Sequence, residues 1–115
     1  MGTPPENIHP AYHAHVYFDA ESAARARRLC VAAKRALDLE VGRFHEKLVG
    51  PHPCWSCQLK FDMATFNDVI PWLDSHRDDL TIFVHGLTGD DLTDHTDHAH
   101  WLGDPIPLDL SIFQR

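Results

Sequence analysis

Residues 12–18, YHAHVYF, alternate in polarity and are rich in aromatic and β-branched side chains, which predicts a strand. Its alternation puts Val16 and Phe18 on one face and His13, His15 and Tyr17 on the other. Asp19 follows where a helix N-cap belongs, with Glu21 in the first turn. Ala23, Ala26, Cys30, Ala33 and Leu37 then recur at three-four spacing, the mark of an amphipathic helix. Its small residues let it pack close to a sheet. Residues 41–48 read as a second strand with Phe44 and Leu48 inward, and Gly50-Pro51-His52-Pro53 as a turn. Residues 55–61 read as a third, with Trp55, Cys57, Leu59 and Phe61 inward. Phe66, Ile70 and Leu73 mark a second helix, in which Pro71 fits the first turn if Asn67 or Asp68 is the cap. Residues 80–85 make a fourth strand with Ile82 and Val84 inward, closed by Gly86 and Gly89.

The order is βαββαβ, an α+β arrangement of the ferredoxin-like kind: an antiparallel sheet with both helices on one face. It makes the first and fourth strands neighbours, and the first and third are expected to run parallel. The whole chain, 1–115, reads as one domain, with residues 1–10 a proline-marked loose arm (Pro4, Pro5, Pro10) and 90–115 a C-terminal extension. The extension is polar and rich in Asp and His, then apolar around Leu108, Leu110 and Phe113.

Composition changes this picture in one respect. A formal charge of -7 argues against nucleic acid, and there is no Lys/Arg run for an anionic membrane surface. No apolar run is long enough to span a bilayer, and the first fifteen residues lack the basic flank and apolar stretch of a signal peptide, so the expected place is the cytoplasm. Three cysteines do not make a disulfide framework; Cys54 and Cys57 form a CxxC, but on a strand, where one core and one surface thiol is the plainer reading. The oddity is ten histidines against three lysines. Histidine is the commonest metal ligand and titrates near neutral pH.

Strand parity sends those histidines to one face. His13 and His15 oppose the core pair of the first strand, His45 opposes Phe44, His52 takes the open side when the third strand's register is extended back, and His85 opposes Val84. With the expected strand directions, these five converge at one end of the helix-free face. Taken singly, each is more often a surface histidine; taken together, a metal site is favoured. His13-x-His15 is the strongest unit, because adjacent same-face positions let two imidazoles reach one ion. Imidazole suits iron, zinc, copper and nickel alike. In DDLTDHTDHAHWLG, His95 and His98 share a face if the stretch is helical. Asp90, Asp91, Asp94 and Asp97 are either partners of imidazole N–H groups or solvated charge. His9, His76 and His100 read as surface residues.

The segments YHAHVYFDAE, GRFHEKLVGPHPCWSCQLKF, IPWL, HRDDLTIFVHGLTGDDLTDHTDHAHWLG and LDLSIF together resemble the DOPA 4,5-dioxygenase family, from about Tyr12 to Phe113. The resemblance implies a ferredoxin-like fold, non-haem Fe(II), and extradiol cleavage of a catechol such as L-DOPA by O2. It also implies a homodimer joined through the open sheet face as an α+β barrel. Carried onto this sequence, it covers His13, His15, His45, His52, His85, His95 and His98. We expect an all-histidine metal site drawn from His13, His15, His52 and His85, since Glu46, the acid within these motifs, points toward the helices. His45, His95 and His98 are then candidates for taking the catechol proton. Gly86 departs from the family, where proline is usual. Competing readings are a non-catalytic metal buffer or sensor, a metal-free oxygenase or ligand-binding dimer, and a zinc hydrolase.

Overall fold

The computed structural model describes residues 7–110 apart from 38, 49, 97 and 98. The expected elements follow in order: β1 (Ala11–Phe18), α1 (Ala23–Ala36), β2 (Glu40–His45), β3 (Trp55–Asp62), α2 (Phe66–His76) and β4 (Ile82–Gly86). A short helix, α3 (Asp91–Asp94), and a fifth strand, β5 (Ala99–Leu102), come after them. The strands form one open sheet in the order β2-β3-β1-β4-β5. The fold is α+β, and its first four strands take the ferredoxin-like order.

Every neighbouring pair is antiparallel, β1 and β3 included, which corrects the expected parallel pairing. Phe18 lies opposite Trp55, and Ala11 opposite Asp62. The reason is topological. A strand–helix–strand unit makes its two strands parallel with a gap between them, and a strand of the other unit fills that gap. β2 therefore runs with β1 rather than against it, which moves the end of β2 away from the start of β1.

The core lies between the sheet and the two long helices. Tyr12, Ala14, Val16 and Phe18 of β1, Cys57, Leu59 and Phe61 of β3, and Ile82 and Val84 of β4 meet Ala26, Leu29, Cys30 and Ala33 of α1. Phe66, Val69, Ile70 and Leu73 of α2 close it. Cys57 is buried, Cys54 is half-buried, and all three cysteines are free.

Four local details differ from expectation. Asp19 does not cap α1; its carboxylate accepts the N–H groups of Glu21 and Ser22, closing a turn ahead of a helix that begins at Ala23. Short acids bond their own following backbone in just this way. Pro71 lies well inside α2, which starts at Phe66, and not in its first turn. The carbonyl its ring leaves unbonded belongs to Asn67, an exposed residue, where water can satisfy it. Leu48 is 66% exposed because β2 stops at His45, after a bulge between Val41 and Phe44. His9 is half-buried, with its ring over Gly86 where a Cβ would overlap it. Gly86 thus lets the arm pack down on β4, and residues 7–10 are tied to the body: Asn7 donates to the Met63 carbonyl and the His9 N–H to the Tyr12 hydroxyl.

The helix-free face has a cover of its own. Gly103, at φ 92, turns the chain back after β5, a conformation that favours glycine. The segment 103–110 then returns over this face, with the Asp109 N–H donating to the Pro51 carbonyl at 2.8 Å. No described helix is long and apolar enough to cross a membrane.

Leu59 is fully buried on a central strand, so Leu59→Ala should lower unfolding free energy by about 2–5 kcal/mol. Leu48→Ala should change it by less than about 0.5 kcal/mol. Urea unfolding of both variants measures the contrast.

Candidate metal centre

β1 and β4 place the first three histidines through their backbones. His13 and His85 are direct partners across the two strands, and His15, two residues on from His13, shares their face. The Nε2 atoms of His15 and His85 stand 2.9 Å apart. His85 donates its Nδ1–H to the Gly86 carbonyl at 2.9 Å, so its Nε2 carries the lone pair and His15 supplies the proton between them. Two nitrogens each about 2.1 Å from one ion, at right angles, would be about 3.0 Å apart. The shared proton therefore occupies a place where a cation fits.

Two more histidines arrive from loops. His52 stands before β3 with its ring 4.0 Å, centre to centre, from that of His15. Its Nδ1 is 2.7 Å from the Tyr17 hydroxyl, which fixes the ring and leaves Nε2 for the cluster. His95 follows α3, its ring 4.2 Å from His85 and 6.0 Å from His52. Among the described residues, the ligand atoms form two groups of three within reach of one ion: His13, His15 and His85, and His15, His52 and His95. Both groups consist of histidines alone, and Glu46 lies on the helix side of the sheet beside Phe44 and Trp72.

His45 does not join them. It pairs with Ser56, which in turn faces Tyr17, so it lies two strands over from β1 and toward the far end of that strand. Among the described residues it makes no ring contact or hydrogen bond with the cluster. Its face was assigned correctly and its end of the sheet was not, because β2 runs with β1. The convergence is accordingly at the middle of the helix-free face rather than at one end, and His52 reaches it by a loop folding inward. His98 and Asp97 lie outside the described residues.

Burial keeps these rings neutral. It holds His15 well below the ordinary range, His85 down at about 3, and His13 and His52 at about 4, with the mutual repulsion of neighbouring imidazoles adding to it. Neutral imidazole is the form that ligates metal. Asp94 opposes the shift at His13 and His85. This acid is itself buried and takes the Thr88 N–H at 2.9 Å and the Thr88 hydroxyl at 2.6 Å, tying the end of α3 to the loop after β4. Asp90 accepts the N–H of Thr93 at the start of α3. These two acids position the segment that carries His95.

Sequence reasoning missed two parts of the site. Tyr17 was placed on the right face without a role; a polar aromatic in line with His13 and His15 was the available signal. Trp101 was missed because β5 is short and sits in a polar stretch. It packs 4.6 Å from Phe83, a fully buried ring on the histidine face.

A family model described as the Dopa 4,5-dioxygenase family matches residues 12–112. The chain belongs to this family. Among curated proteins it is 35% identical over 120 residues to an uncharacterized 21.2 kDa protein of Botryotinia fuckeliana, covering 94% of this chain and 66% of that one. It is 30% identical over 109 residues to a DOPA 4,5-dioxygenase of Amanita muscaria, covering 87% and 48%. The chain thus spans roughly half to two thirds of the length of these relatives. A crystal structure from Nostoc punctiforme, described as a "putative dioxygenase", superposes with a TM-score of 0.88 at 37% identity and 91% coverage of both chains.

Between about pH 6.5 and the depressed folded values near 4 and 3, the unfolded chain binds protons that the folded chain refuses. The metal-free protein should therefore be most stable above pH 6.5 and weaken as the pH falls through that window. Urea midpoints at pH 7.5, 6 and 5 should decline in that order; a flat series would contradict it.

Proposed function

We propose that this chain is a non-haem Fe(II)-dependent extradiol dioxygenase that opens the ring of a catechol, L-DOPA being the reference substrate. The observation that carries the proposal is the pair of buried Nε2 atoms at 2.9 Å, with His13 beside them, in a member of a dioxygenase family. When bound, ferrous iron supplies the redox chemistry that lets a catecholate combine with O2.

The protein's part can be stated residue by residue. His13, His15 and His85 would hold the metal, since adjacent strands fix them without help from any loop. A neutral imidazole has one lone pair, so His15 serves one of the two groups at a time. With His15 engaged alongside His13 and His85, His52 and His95 would be left beside that group with ring nitrogens to spare. His95 would take the proton that a catechol hydroxyl gives up on binding. Tyr17 holds His52 in place beside the cluster, and burial pushes its own phenol up, so it stays protonated. His15, His52 and His85 are each less than 10% exposed, so bulk water is largely kept from the reacting atoms. His45 has no part in this scheme. The proposal includes the homodimer that the family resemblance implies, which light scattering tests by mass.

Anaerobic reconstitution with Fe(II), followed by O2 and L-DOPA, should give a yellow product whose formation needs iron. Stoichiometric metal with no turnover across a panel of catechols would replace this proposal with a metal-binding protein that does no chemistry. His85→Ala should lose Fe(II) binding and cut turnover more than about a hundredfold, since even outer partners of a ligand cost 10–100-fold. His45→Ala should bind iron normally and stay within about threefold of the parent, a surface change by comparison. Metal content by mass spectrometry and initial rates decide between them.

A further inference from the structure

A cavity of about 410 Å³ opens beside His95 on the helix-free face. Its walls are Phe83 and Trp101 from the sheet and Ile106, Leu108 and Leu110 from the returning C-terminal segment. Phe83 is rigid: it is fully buried, 4.6 Å from Trp101 and 5.9 Å from His95, ring to ring. His95 belongs both to this cavity and to the group it forms with His15 and His52, so the cavity adjoins the histidine cluster at His95. Its volume falls within the range of small-molecule sites. No Lys, Arg, Asp or Glu lines it among the described residues.

We propose that this cavity seats an apolar substituent of the aromatic substrate, so that catechols bearing an aliphatic or aryl side chain are preferred to the zwitterionic side chain of L-DOPA. The catechol end of the inference rests on the dioxygenase proposal above; the cavity end does not. An ammonium and a carboxylate placed against Ile106 and Leu108 would lose water, and the polar Thr96 and Trp101 of the lining offer no opposite charge to replace it. An alkyl chain in the same place loses nothing and is removed from water.

The test has two arms. In the first, the Fe(II)-loaded protein is titrated anaerobically with 4-propylcatechol and with L-DOPA. The propyl compound should bind at least about tenfold tighter, the worth of burying three carbons. Leu108→Arg, at a half-exposed position, should shift that ratio toward L-DOPA, and the milder Leu108→Thr should move it the same way. In the second, the metal-free protein is titrated with propylbenzene while the indole N–H of Trp101 is followed by NMR. A saturable shift of Trp101, weakened in Leu108→Arg, is expected. Catechols that bind the iron form without preference would overturn the inference and leave the dioxygenase proposal standing. Propylbenzene that shifts Trp101 in a protein whose iron form ignores every catechol would support the cavity while removing the dioxygenase proposal. A Trp101 signal unmoved by propylbenzene would overturn the inference directly.

Discussion

The register between β1 and β4 is the constraint on which the site depends. It sets His13 opposite His85 and Ala14 opposite Val84, so the same pairing builds the core on one face and the histidine cluster on the other. A slip of one residue would send His13, His15 and Tyr17 among the helices and expose Ala14, Val16 and Phe18. The register is enforced from the core side, where Val16, Ile82 and Val84 are buried to within one percent. The apolar packing under α1 and α2 is therefore what aims the imidazoles, with no need for the histidines to attract one another. In their neutral state they have little attraction to offer.

That division explains why the cluster is a site and not a device for stability. An apolar side chain at His15 or His85 would bury as well and would carry no proton linkage. The rings instead satisfy one another in a short chain, His15 to His85 to the Gly86 carbonyl, with His52 held separately by Tyr17. A cation can replace the proton between His15 and His85 while leaving the Gly86 bond intact. Such an outer bond fixes the ligand nitrogen and its orientation, as the outer partners of metal-bound histidines do. The loops contribute differently. His52 and His95 depend on the Pro51–Asp109 bond and on Asp94 with Thr88, so they can be adjusted without disturbing the strands.

How much of this was legible in the sequence depends on the residue. The face of each histidine in β1 and β4 followed from strand alternation, because Val16, Phe18, Ile82 and Val84 left no doubt about which side was apolar. Strand direction is not written in alternation; it follows from how the two βαβ units interleave, and mistaking it put His45 in the cluster and the cluster at one end. Asp19 looked like a helix cap because local sequence cannot distinguish a capped helix from a capped turn before one. Pro71 looked confined to a first turn because the exposure of Asn67 is a property of the packed helix. β5 was invisible as a strand: four residues in a His- and Asp-rich stretch pair only because β4 offers an edge. With β5 unseen, Trp101 and the cavity beside His95 were unseen as well.

The most direct measurement is an anomalous-difference map from crystals of the iron-loaded protein, collected across the iron edge. One peak is expected about 2.1 Å from Nε2 of His15 and of His85, with a nitrogen of His13 completing the set. A peak centred instead among His15, His52 and His95, or at full iron loading away from all five histidines, would contradict it.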